Sequence, residues 1–362
     1  MRGCLAERAT VLEWLHTLAG RDDVRFPRAM GENSFHFDKV RQHSILVLED
    51  FNASPVDKAF RASDCVQPPV RHLTPDNEQI FSFRKNVQGD CLLTPTLDSR
   101  NRILAGVRPC DLKAIYLMDR VNRDGIPDAH YLSRRRNTTI IAHDCLQPCN
   151  EYCFCDAAGS LHWRKGADIF LTPQPRARLL LEALTERGDQ LLADAGFPAC
   201  GDVEACRAKA EARRVRPFGR FFDAPLEKLI AAVSDTWDST VWEQHANRCF
   251  ACGTCNLVCP TCYCFDLEDD FNVDDPDSGQ RIRRRDSCML EDFAEISGGH
   301  NFRPQLAARL RHRIKRKLAY LPVRFGDGSF CVGCGRCGHQ CTVDIDIFCI
   351  ANDLLAGMED VP

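Results

Sequence analysis

The feature that most constrains this 362-residue chain is a cysteine run that occurs twice. Cys249, Cys252, Cys255 and Cys259 precede Pro260, and Cys331, Cys334, Cys337 and Cys341 repeat the same steps of three, three and four. Cysteines stepped this closely can wrap three corners of a cubic 4Fe-4S cluster on one short loop, but the fourth corner lies out of that loop's reach. Where two such runs occur together, the last cysteine of each serves the other cluster. The expected ligand sets are therefore Cys249, Cys252, Cys255 with Cys341, and Cys331, Cys334, Cys337 with Cys259. Crossing the sets turns the roughly 70 residues between the runs into a loop clasped by metal.

Zinc is the competing reading, but its usual pattern is two CxxC pairs separated by a dozen or more residues. Gly253, Gly333, Gly335 and Gly338 are expected to let backbone amides approach the sulfurs. The stretch from Gly333 to Gly338 also spells GxGxxG, the dinucleotide fingerprint, yet three presumptive iron ligands thread it and no strand of a βαβ unit precedes it. No other glycine-rich phosphate loop is visible, so neither FAD nor NAD is expected on this chain.

Cysteine totals 22, about 6% of the chain, and fourteen of these fall in three clumps, at 145–155, 249–264 and 331–341. Charges at Arg2, Glu7, Arg8 and Glu13 interrupt any signal-like apolar core, and no apolar run is long enough to span a bilayer. A cytoplasmic location is expected, where dense cysteine means metal or redox chemistry. The net charge of -4 gives no global attraction to nucleic acid.

Apolar runs at 45–51, 78–83, 102–107, 138–144 and 167–172 have strand character, and helical periodicity covers 4–19, 111–123, 176–194 and 203–214. The fold class expected is α+β. An N-terminal α/β domain (1–235) would precede a split, ferredoxin-like two-cluster domain (236–362) carrying a helical insertion at about 266–322. Residues 266–278 hold seven acids and are followed by Arg281, Arg283, Arg284 and Arg285, which reads as a solvated loop. Leu306, Leu310, Ile314 and Leu318 recur every four residues on a helix that also bears Arg309, Arg311, Arg313, Lys315, Arg316 and Lys317. A solvated charged face is the first reading of that helix, a docking surface for an acidic partner the second, and nucleic acid the third.

The third clump, Cys145, Cys149, Cys153 and Cys155, lies downstream of Cys110 and is ambiguous by spacing alone. Buried thiols, zinc, a redox pair and a third cluster all fit. Cysteines after a strand and at a helix start could converge, and a helix N-terminus favours thiolate. No Ser-His-Asp, paired-carboxylate or HExxH arrangement stands out, so a bond-making site is not expected; a self-contained oxidoreductase would need one near Cys110 and Cys145.

GVRPCDLKAI (106–115), the Cys145 to Cys153-Phe-Cys155 spacing, CPTCYCFD (259–266), RRRDSCMLEDFAEISGGHNFR (283–303) and the basic helix ending KRKLAY are specific over roughly 65–350. In these the chain resembles the iron-sulfur beta subunit of cytoplasmic NiFe hydrogenases, the sulfhydrogenases, and equally the related iron-sulfur subunit of anaerobic sulfite reductase. The resemblance implies a hetero-oligomeric electron-transfer subunit. It would join a flavin- and NAD(P)H-binding diaphorase partner to a catalytic one, the first expectation for which is a hydrogenase small subunit. A sulfite reductase or heterodisulfide-reductase-like complex, or another terminal reductase subunit, is the alternative, and a zinc-bound nucleic-acid or scaffold module the remote one. The resemblance also implies Cys110, Cys145, Cys153 and Cys155 as ligands of a third 4Fe-4S cluster. Cys149 falls outside the family pattern, and Cys262, Cys264 and Cys288 match it without an evident role.

Overall fold

In the computed structural model, which describes residues 2–29, 35–40, 65–222 and 224–359, the chain begins β1 (Gly3–Glu7), α1 (Arg8–Ala19), β2 (Asp23–Ala29) and β3 (Phe35–Lys39). The expected strand at 45–51 lies outside the described residues. Next come β4 (Asn77–Lys85), β5 (Cys91–Pro95), β6 (Arg102–Val107), α2 (Pro109–Val121), α3 (Ala129–Arg136) and β7 (Thr138–His143). Then follow β8 (Ile169–Gln174), β9 (Arg178–Ala183), α4 (Glu186–Ala195) and α5 (Val203–Arg213). The second half contains α6 (Leu226–Asp235), α7 (Val241–Ala246), α8 (Thr254–Leu257), β10 (Phe265–Asn272) and β11 (Asp275–Arg285). It closes with α9 (Leu306–Lys315), α10 (Leu321–Phe325), α11 (Arg336–His339) and α12 (Ile347–Glu359).

Seven strands form one mixed sheet in the order β1-β9-β8-β7-β6-β2-β3. Its centre, from β8 through β7 and β6 to β2, is parallel. Strands β6 and β7 are buried along their whole length, which is why RILAGV and TTIIAH read as almost continuous apolar runs. Ile103, Ala105 and Ile141 pack on the α1 side with Val11 and Leu15, while Leu104, Val107 and Ile140 pack on the α2 side with Leu112 and Ile115. Gly106 sits at φ 76 in a bulge between Ala105 and Val107, where a side chain would strike the Pro27 ring. The bulge turns the chain into α2, and Pro109 occupies its first turn, where a missing N–H costs nothing. Because β6 and β7 are parallel neighbours, the segments after them leave the same edge of the sheet. That edge carries Cys110 and Cys145.

Periodicity misassigned two segments. Gly3–Glu7 and Arg178–Ala183, expected within helices, are β1 and β9, paired antiparallel to each other across the length of this half. Leu179, Leu180 and Leu181 are all buried, and a short apolar run alone does not distinguish helix from strand. The acidic stretch at 266–278 is also no loop: β10 and β11 form a hairpin that joins β4 and β5 in a four-stranded antiparallel sheet. Its acids meet the following arginines across the strands, Asp269 with Arg281 at 2.7 Å and Glu268 with Arg284 at 3.0 Å. The insertion is thus a hairpin followed by helix.

A second core gathers Leu229 and Val233 of α6, Trp242 of α7, Leu310 and Ile314 of α9, Leu318, and Ile350 and Leu354 of α12. Helix α9 continues through a single π turn, Arg316–Tyr320, into α10. Among the described residues no helix is long and apolar enough to cross a membrane.

The halves are locked by a buried pair. Arg336 Nη1 and Nη2 donate to Asp111 Oδ1 and Oδ2, both at 2.7 Å, and its Nε donates to the Cys65 carbonyl at 2.8 Å. Removing one member leaves the other's charge buried. Asp111→Ala is expected to destabilise the chain by about 3–5 kcal/mol in urea unfolding, and Asp111→Ala/Arg336→Leu to recover much of that loss.

Candidate metal centre

The two cysteine runs fold alike. Ala251 and Gly333, equivalent in the repeat, have φ of 55 and 69, and Gly253 and Gly335 have 76 and 77. Each run therefore turns twice through left-handed backbone and enters a single-turn helix, α8 or α11, and these helices pack together. Glycine is required at 333 and 335 for a reason besides φ: a side chain there would strike the Phe154 carbonyl or the Asn150 side chain. The GxGxxG spacing thus serves a close approach of the 150–155 loop. That loop is stitched down by Phe154 N–H donating to the Gly333 carbonyl at 2.8 Å and by Ser160 Oγ donating to the Val332 carbonyl at 2.6 Å.

Cys249, Cys255, Cys331, Cys337 and Cys341 pack against the helical core, whereas Cys252 is exposed. The Ala251 N–H reaches Cys249 Sγ at 3.4 Å and the Ile345 N–H reaches Cys341 Sγ at 3.3 Å. Such amides favour thiolate. Burial pushes Cys331 up to about 12, with Cys337 and then Cys259 adding to it. Cys334 is likewise raised by burial, opposed by Arg336 and reinforced by Cys110 and Cys259. Cys259, last of the first run, therefore lies among the thiols of the second. Cys255 is raised to about 12 by burial, with Arg313 opposing and Cys337 and Cys249 among its sulfur neighbours.

The thiols of the first half meet at the sheet edge. Cys110, Cys145, Cys149, Cys153 and Cys155 line one pocket, together with Arg108, Phe218, Arg336 and Cys334 from the second run. Cys153 Sγ lies 3.3 Å from Cys155 Sγ. Hydrogen bonds from Cys149 and Cys155 lower Cys153 to about 3, making it the acidic member of the group, while Cys155 also pairs with Cys110. Arg108 Nη1 approaches Cys145 Sγ at 3.8 Å and His143 Nδ1 at 2.8 Å. Burial, then Arg108, keep His143 far below its ordinary pKa and hence neutral. The turn carrying Cys145 is fixed by Arg214 on Asp144 at 3.0 Å. Cys149 is half-buried, where the other four are buried. All four residues matched by resemblance are thus brought together, and Cys149 joins them.

The basic helix overturns its sequence reading as a solvated or docking face. None of Arg309, Arg311, Arg313, Lys315, Arg316 and Lys317 is exposed. Lys315 Nζ donates to the Val233 carbonyl at 2.6 Å, and Arg311 lies over the Trp237 ring at 4.2 Å. Arg313 and Lys317 turn to the sulfurs: Arg313 Nε donates to Asn256 Oδ1 at 3.1 Å and Lys317 Nζ to Thr261 Oγ1 at 2.9 Å. Among the described residues neither pairs with a carboxylate. Burial works against both charges, but Cys255 and Cys337 outweigh it at Arg313, and Cys259 and Cys262 at Lys317. Sequence reading named these cations but missed their place beside the sulfurs, although Arg309, Arg313 and Lys317 share a four-residue spacing that sets them on one face.

Soft thiolates, directed amides and buried cations form a donor set suited to iron-sulfur clusters. Residues 248–345 match the family model described as a 4Fe-4S dicluster domain. The C-terminal part of the chain is such a domain. Over 326 residues, 89% of this chain and 92% of the relative, the sequence is 29% identical to "Sulfhydrogenase 2 subunit beta" of Pyrococcus furiosus. The chain is a homologue of that subunit.

A buried cation stabilises added negative charge and so raises a reduction potential. Lys317→Met is expected to lower the potential of a dicluster centre by tens of millivolts in a dye-mediated titration, since a unit charge at an effective dielectric of about 20 is worth on the order of 1–2 kcal/mol at nanometre range.

Proposed function

We propose that this chain is the iron-sulfur electron-transfer subunit of a sulfhydrogenase-like hetero-oligomer. It relays electrons between a flavin- and NAD(P)H-binding diaphorase partner and a hydrogenase small subunit. The observation that carries this reading is the sharing of Cys334, which belongs to the second run and also walls the pocket of Cys110, Cys145, Cys153 and Cys155. Clusters of this type, when bound, take up and release one electron at a time. Cys249, Cys252, Cys255 and Cys341 would hold one, Cys331, Cys334, Cys337 and Cys259 the second, and Cys110, Cys145, Cys153 and Cys155 the third.

The chain's own residues supply the rest. Arg313 and Lys317 offset negative charge at the runs, and Arg108 and Arg336 do so at the pocket. Phe218, Phe330 and Val332 pack among the pocket thiols and exclude water. Cys252, with Phe250 beside it 71% exposed, gives the relay a surface end at which a partner can dock.

Two outcomes test this. Cys145→Ser is expected to lose about four irons per chain after anaerobic reconstitution, while Cys149→Ser, at the half-buried Cys149, keeps them. Native affinity purification should recover a flavoprotein and a hydrogenase subunit, and Cys334→Ser should abolish NAD(P)H-linked hydrogen turnover by that complex. Recovery of the chain alone would overturn the assignment.

A further inference from the structure

Cys262, Cys264 and Cys288 take no part in the three ligand sets, yet they share a cavity. It measures about 240 Å³ and is also lined by Asn256, His312, Arg313, Arg316 and Lys317. Cys262 follows the first run, Cys264 lies just before β10, and Cys288 just after β11, so the hairpin closure that pairs Phe265 with Arg285 brings the latter two together. Their thiols are hydrogen-bonded to each other. The Asn256 carboxamide joins the set, its Nδ2 donating to Cys288 Sγ at 3.1 Å and its Oδ1 accepting from Cys262 Sγ at 3.4 Å.

We propose that Cys262, Cys264 and Cys288, with His312 beside them, form a further metal-thiolate site that takes an iron-sulfur cluster. Thiols with a purely structural role pack against apolar atoms; these face open space. Arg313, Arg316 and Lys317 line the same cavity, where thiolates on a cluster would add to the negative charge that faces these cations. Arg316 is directed by its hydrogen bond to the Tyr263 hydroxyl and stands over that ring at 5.0 Å. A single zinc ion fits less well. It would draw its sulfurs to about 2.3 Å from one point, and among the described residues no three such side chains close round a single ion. Asn256 stands between Cys262 and Cys288 and keeps them apart.

The site adjoins the first run and, through it, both crossed ligand sets, since Cys262 is hydrogen-bonded to Cys259 and Cys288 is an electrostatic neighbour of Cys255. Its existence does not depend on the relay proposed above, and the test is independent of electron transfer. Iron, zinc and acid-labile sulfide are counted in the full chain after anaerobic isolation, for the parent and for Cys264→Ser/Cys288→Ser. The expected result is a loss of about three to four irons and a matching amount of sulfide, with the electron paramagnetic resonance signals of the other clusters retained. Unchanged iron and sulfide, or loss of zinc in place of iron, would overturn the proposal. If the double variant does not accumulate as folded protein, Cys262→Ser is judged by the same counts.

Discussion

The structure depends on a balance between buried cations and buried sulfur. Arg313, Lys317, Arg336 and the guanidinium of Arg108 all stand at or beside thiols in regions from which water is excluded. An uncompensated charge in such a place is costly, and a buried thiol gives up its proton only if something nearby offsets the charge that results. Each cation therefore makes its neighbouring sulfurs acceptable as thiolates, and the thiolates keep the cation charged. Arg336 is held by a carboxylate as well, and Asp111, which holds it, lies next to Cys110. This ion pair thus aims a guanidinium at the place where the two halves share Cys334.

What could be read from the sequence follows from how local each constraint is. The repeated runs are local, because left-handed turns at 251, 253, 333 and 335 and the cysteines between them lie within a few residues. The central strands were legible because burial on both faces leaves an apolar run whatever the tertiary context. Strands β1 and β9 were not, since a short apolar run alone does not separate strand from helix, and β1 is paired only through β9, far along the chain. The hairpin at 265–285 was hidden in the same way: its acids and arginines look like a solvated charge run until they are placed opposite one another. The basic helix misled for a related reason. Lysine and arginine have an exposed prior, and only the neighbouring thiols reverse it.

The glycines of the second run show how one pattern can serve an unexpected end. Spaced as in a phosphate-binding loop, Gly333 and Gly335 approach protein backbone: the loop carrying Cys153, Phe154 and Cys155 lies directly on them. Gly219 does the same from another side, where a side chain would strike the Cys153 carbonyl. Glycines from two distant parts of the chain thus press one short segment into place.

This arrangement bears on how the pocket is assembled. Cys110 and Cys145 are presented by the first sheet, but the walls that close around them include Phe330, Val332, Cys334 and Arg336. The pocket at the N-terminal sheet is therefore incomplete until the last part of the chain has folded onto it. The sheet of β4 and β5 with β10 and β11 imposes the same order from another direction, since half of it precedes the first run and half follows it. The two halves of the sequence thus share a sheet and a pocket, and the thiol site at the first sheet is built from both.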